Sequence, residues 1–194
     1  AIVLYAQLKQ FELALKYISK LESYNLTEKN QCVSKQLDID AKLNSGVMIA
    51  ERSFSSALEA CLNAGVNIAI SLIRNDHARY LINQKDYSKA QTVLEPYIND
   101  IKETRYSTLI SESYYLLSVV NFGEERYREA LELVKEAEKY VVSKTSQQAK
   151  ELYQLKYRIY DTQGDKLDAF RAFKYYTAAE RANLDELAVK TLSF

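Results

Sequence analysis

An all-α chain built from stacked antiparallel helical hairpins is expected here, on three grounds. Four glycines and one proline in 194 residues are too few for the tight turns of a β-protein or for a Gly-rich phosphate cradle. One phrase recurs five times along the chain: a polar stretch, usually an aromatic, two residues, a small alanine, then an apolar helical stripe. The runs that precede these phrases have helical spacing, as in Val66, Ile70, Ile73, His77 and Leu81, where steps of four, three, four and four hold one face.

The copies are KQFELALKYI from Lys9, RSFSSALEACL from Arg52, KDYSKAQTVL from Lys85, ERYREALELV from Glu125 and GDKLDAFRAF from Gly164. Their alanines, Ala14, Ala57, Ala90, Ala130 and Ala169, are separated by 43, 33, 40 and 39 residues. Such periods belong to helical hairpins and are too long for leucine-rich turns. The repeats are placed at 1–25, 33–65, 66–105, 107–143 and 147–180, and 181–194 forms a capping or connector helix.

Each copy opens the second helix of its hairpin. Asp86 and Asp165 stand where an N-cap accepts the orphan amides of that helix, and Asp168 favours the positive end of the helix dipole. The second-helix stripes run Leu13, Ala14, Tyr17, Ile18 and Leu21; then Ala90, Val93, Leu94, Tyr97 and Ile98; then Ala130, Val134, Ala137 and Val141. A small alanine at the same place in every hairpin lets two helices approach to about 8–10 Å. Pro96 lies inside one of these second helices and is expected to kink or split it. After the fifth phrase, the chain either continues as one long helix or is recapped at Asn183 or Asp185. In both cases it covers the exposed apolar side of the last repeat.

With these residues in place, the array resembles the tetratricopeptide repeat family, whose pattern has a Gly-Asp/Asn-Tyr turn, an alanine three residues after the tyrosine, and an aromatic or apolar residue four beyond. Asp86-Tyr87 with Ala90 and Leu94 fits, as do Tyr127 with Ala130 and Val134, and Gly164-Asp165 with Ala169 and Phe173. Phe11, Ala14 and Ile18 keep the pattern, and Phe54, Ala57 and Cys61 follow it more loosely. The resemblance implies a right-handed superhelix, a TPR-like α-solenoid, over the single array 1–194. Two departures stand out. Family repeats usually run 34 residues and end in proline, whereas three of the four intervals here are near 40, similar to the longer repeats of bacterial signalling proteins, and the only proline, Pro96, lies inside a second helix.

Little in the composition points to catalysis. With 26 basic and 26 acidic side chains, there is no nucleic-acid footprint. No stretch approaches the roughly 18 continuous apolar residues of a membrane helix, so no membrane insertion of this chain is expected. His77 is the only imidazole, and its place on an apolar stripe reads as a partly buried side chain inside a hairpin. Cys32 and Cys61 are too few for a disulfide framework or an ordinary zinc site, and Cys61, on an apolar stripe, reads as a buried inert thiol. Asp38 with Asp40 and Glu124 with Glu125 read as solvated. No dinucleotide fingerprint, phosphate loop or His-Glu-x-x-His occurs, so no catalytic residue, cofactor or metal is expected. Sixteen tyrosines, among them Tyr5, Tyr114, Tyr153, Tyr157 and Tyr160, read mostly as hairpin packing with the hydroxyl reaching outward. The chain opens on Ala1 and is apolar to its last residue, Phe194; it is expected to be a piece of a longer protein.

Stacked hairpins leave the first helices of successive repeats lining a groove. By helical phase, the side chains facing away from the packing stripe there are Lys42, Asn75, Arg79, Glu112, Tyr115, Gln154 and Arg158. The resemblance implies that such a groove takes an extended peptide or a partner helix, with Arg offering a forked donor. The family's carboxylate clamp is not carried over, because its Lys, Asn and Arg members are only scattered here. The expected function is a non-catalytic protein- or peptide-interaction module, with self-association open. The alternative is the sensory input domain of a bacterial signal-transduction protein, a diguanylate cyclase or histidine kinase, cytoplasmic or periplasmic.

Overall fold

The computed structural model describes residues 2–8 and 10–192; Ala1, the Lys9 that opens the first repeat phrase, Ser193 and Phe194 lie outside the described residues. Those residues form eleven α-helices and no strand, in agreement with the all-α expectation: α1 (Ile2–Gln7), α2 (Phe11–Glu22), α3 (Glu28–Ser45), α4 (Glu51–Asn63), α5 (Asn67–Asn83), α6 (Tyr87–Leu94), α7 (Asp100–Glu103), α8 (Ser107–Gly123), α9 (Tyr127–Glu138), α10 (Gln147–Gln163) and α11 (Lys166–Leu192). None of the helices searched among them is long and apolar enough to cross a membrane. The chain divides into two compact units, Ala1–Tyr80 and Leu81–Phe194, with the boundary inside α5.

All five repeat alanines are buried: Ala14, Ala90 and Ala130 are 0% exposed, Ala57 1% and Ala169 3%. The aromatic that precedes the alanine begins three of the second helices, as Phe11, Tyr87 and Tyr127. The stripes hold only in their central positions. Ile18, Leu94, Val134 and Ala137 are buried, whereas Leu13 and Tyr17 stand exposed.

The turn into the second helix is built the same way several times. At Lys85, Glu125 and Gly164 the backbone enters the left-handed region, with φ of 62°, 61° and 79°. In each case that residue donates its N–H to the carbonyl three back, and the next residue donates to the carbonyl five back. Lys85 bonds Ile82 at 2.9 Å and Asp86 bonds Leu81 at 2.9 Å; Glu125 bonds Phe122 and Arg126 bonds Asn121; Gly164 bonds Asp161 and Asp165 bonds Tyr160. This double closure satisfies carbonyls that the helix end would otherwise orphan. Asp86 and Asp165 cap as their positions suggest, accepting the amides of Lys89 and Asp168, both at 3.2 Å. Thr27 and Ser146 do the same for the first helices α3 and α10.

Pro96 splits its helix. α6 ends at Leu94, a 3₁₀ turn covers Glu95–Tyr97, and α7 starts at Asp100. The final stretch resolves the other way: α11 runs unbroken from Lys166 to Leu192. Asn183 donates its side-chain amide to the Ala179 and Thr145 carbonyls at 2.7 and 2.8 Å, so it ties α11 to the α9–α10 loop and does not cap a new helix.

In the first unit, α1, α2 and α3 pack in succession and α3 packs on α4. Phe54, Ile39, Ile49, Ala69, Ile70 and Ile73 share a core with both cysteines. The expectation of inert thiols is corrected here. Cys32 on α3 and Cys61 on α4 are buried as expected, but they form a disulfide, with Cα atoms 4.7 Å apart. The two face each other across the hairpin, a relation that spacing along the sequence does not encode. His77 is half-buried and lies flat on Phe54, ring centroids 4.5 Å apart and planes 13° from parallel.

In the second unit, α6 packs on α8, α8 on α9 and α10, α9 on α10, and α10 on α11. α8 is its centre, buried nearly all round. Three of the small residues that let neighbours close on it are Ser111, Ser113 and Ser118, at most 1% exposed. Ser111 donates to the Ala137 carbonyl of α9 at 2.9 Å, so this inter-helix contact leaves the hydroxyl satisfied.

Candidate binding surface on the first helices

The seven residues expected to face away from the packing stripes fall in both units, and each set is described by itself. In the first unit, Lys42 on α3 donates to the Asp38 carboxylate one turn earlier at 2.6 Å and remains partly exposed. Asn75 and Arg79 stand one turn apart on α5, but Asn75 is 1% exposed and Arg79 half-buried. Lys42 and Arg79 therefore carry whatever polar surface this set offers.

In the second unit, Glu112 and Tyr115 on α8 are half-buried, and Gln154 and Arg158 on α10 are exposed. Two contacts fix how α8 and α10 lie. Gln148 at the start of α10 donates to the Thr108 carbonyl at 2.7 Å, and Arg158 near its end sits over the Phe122 ring at 4.7 Å. Start meets start and end meets end, so the two first helices run side by side in the same direction. Glu112 and Tyr115 lie between those two contacts along α8, and Gln154 precedes Arg158 by one turn.

The Arg158 guanidinium over Phe122 is a cation–π contact, which orients the planar fork while leaving its N–H edge available to an acceptor. Phe122 was missed by sequence reasoning. The available signal was its spacing of seven from Tyr115, two helical turns along the same face.

A second polar network braces the neighbouring turn. Arg126 stands at the N-cap of α9, where an aspartate would be usual, and donates from Nε to Asn121 at 2.7 Å and from Nη2 to Gln91 at 3.0 Å. It also pairs with Glu124. These groups hold the turn that ends α8 and so position Phe122 within it.

Among the described residues, no group of three or more His, Cys, Asp or Glu side chains is placed to hold a metal ion. Compared with protein-family models, with curated proteins and with solved structures, the chain matches none of them.

Proposed function

We propose that the chain is a repeat module of the tetratricopeptide type that binds an extended peptide or a partner helix along its first helices, without catalysis of its own. The observation that carries this reading is the parallel pair α8 and α10, which sets the exposed Gln154 and Arg158 beside the half-buried Glu112 and Tyr115. A surface of this kind offers one forked donor, an amide and a phenol along adjacent helices, which suits main-chain carbonyls and an acidic side chain of a peptide. The five buried alanines and the repeated left-handed turns support the repeat reading beneath it.

The test is a peptide selected from a random display library on the full chain and then titrated calorimetrically. Arg158→Glu and Gln154→Ala are expected to weaken it at least about tenfold with the melting temperature nearly unchanged. Unchanged affinity in both variants contradicts the reading. Arg79→Glu makes the same test for the first unit.

One observation favours the alternative, a sensory input domain. α11 has 27 residues against 17 in its partner α10, about 40 Å against about 25 Å. A helix that outruns its hairpin is suited to carry a conformational change onward. The Cys32–Cys61 disulfide fits an oxidising compartment such as the periplasm. That alternative requires a ligand to alter α11, measured as a change in its amide exchange when the ligand binds.

A further inference from the structure

On the side of α10 away from Gln154 and Arg158, the second unit has a cleft of about 430 Å³ between α9, α10 and α11. At about 100° per residue, Lys156 and Tyr160 fall close to Tyr153 around the helix, whereas Gln154 and Arg158 lie roughly 100–140° away. The cleft is thus separate from the proposed peptide surface. Its volume is in the range of small-molecule sites.

Its floor is apolar and made small by alanine: Leu152, Ala149 and Ala172 are at most 3% exposed. Its walls are aromatic. Tyr153 and Tyr175 meet with ring centroids 5.3 Å apart, and Tyr160 lines the same space. Among the described residues none of these three hydroxyls has a hydrogen-bond partner. Burial, first, and the nearby carboxylates push the Tyr153 and Tyr160 phenols above the usual tyrosine value, so both are neutral hydrogen-bond donors at physiological pH.

The charged groups of the lining leave a cation over. Lys156 donates to both oxygens of Glu138 at 2.7 and 2.8 Å, and Arg171 donates to Asp168 at 2.8 Å. The two carboxylates are thereby matched. Lys144, from the loop between α9 and α10, lines the cleft and has no carboxylate partner among the described residues. A neutral apolar guest would leave Lys144 unused, and an acidic one would pair with it.

We propose that this cleft binds a small aromatic carboxylate, its ring against Tyr153 and Tyr175 and its carboxylate held by Lys144, with Tyr160 lining the far end of the same space. Rings in such walls favour offset or edge-on contact with an aromatic guest, and a charge-assisted bond to Lys144 separates an acid from its neutral analogue.

The test uses 1-naphthylacetate and 1-naphthylacetamide, which share a ring system and differ in charge, titrated into the isotope-labelled full chain and followed by amide NMR. The acid is expected to bind with Kd of about 1 mM or tighter, shifting amides around Tyr153, Tyr160 and Tyr175, and the amide to bind at least about tenfold more weakly. Lys144→Gln is expected to bring the acid down to the affinity of the amide, and Tyr175→Ala to weaken both, with helicity retained by circular dichroism. Arg158→Glu is expected to change neither, which separates this site from the peptide surface. No saturable shift at these amides, equal affinity of acid and amide, or an unchanged affinity in Lys144→Gln overturns the proposal.

Discussion

Gly123, the last residue of α8, lies directly against the ring of Tyr87, the first residue of α6: a Cβ at position 123 would run into three of the ring carbons. The aromatic that opens one second helix is thus seated on the end of the next first helix. This contact gives the aromatic at position 87 a physical reason. It also explains why one of only four glycines stands inside a helix, where glycine ordinarily weakens the structure.

Gly123→Ala is therefore expected to destabilise the chain by about 1–3 kcal/mol through overpacking, although the same change in an open helix stabilises by up to about 1 kcal/mol. Urea unfolding measures the sign. In a double-mutant cycle with Tyr87→Ala, the alanine at 123 should cost markedly less, because the ring it strikes is gone. A stabilising Gly123→Ala in the otherwise unaltered chain contradicts the contact.

Lys85 and Glu125 hold left-handed backbone that favours glycine, as Gly164 does in the corresponding turn. Lys85→Gly and Glu125→Gly are each expected to stabilise by roughly 0.5–1 kcal/mol, the relief of the left-handed penalty less the added chain entropy. Gly164→Ala is expected to move the other way by about 1 kcal/mol. No atom lies within 4 Å of a Cβ at 164, so the backbone alone sets that loss.

The disulfide closes a loop with a sequence separation of 29, which corresponds to about 3–4 kcal/mol of stability in the chain-entropy account. A thiol assay in denaturant without reductant should find no free cysteine. Reduction should then lower the urea midpoint of the first unit. Two free thiols in that assay, or an unchanged midpoint, would count against the bond.

Asp86 predicts a pH dependence. The Lys89 ammonium, 3.0 Å from the carboxylate, and the Lys89 amide that the carboxylate caps hold Asp86 below the usual range. With the folded value depressed, its stabilising contribution is complete above the unfolded value of about 3.9 and is lost as the pH falls through the folded one. Asp86→Asn keeps a capping oxygen but does not titrate. The stability difference between wild type and this variant should shrink from about pH 6 to about pH 2; a constant difference would exclude Asp86 as the titrating group.

The helical class and the burial of the five alanines were legible because helical spacing and repeat punctuation are local. Asp86 and Asp165 were legible as caps for the same reason, and Pro96 as a break because it lacks an amide donor. The Cys32–Cys61 pairing was not, since it depends on how α3 lies against α4. Nor was Phe122 beneath Arg158, which depends on α8 and α10 running side by side. Tyr153 and Tyr160 read as packing, and only the placement of α9 and α11 around them turns two hairpin tyrosines into walls of a cleft. Asn75 is 1% exposed, a burial that helical phase alone does not supply.

Mapping a library-selected peptide onto the chain by hydrogen–deuterium exchange decides whether α8 and α10 form the binding surface. Protection is expected to concentrate on the α8 and α10 segments that carry Glu112, Tyr115, Gln154 and Arg158, and to be lost in Arg158→Glu. Protection confined to other helices, or protection on α8 and α10 that persists in Arg158→Glu, would contradict it.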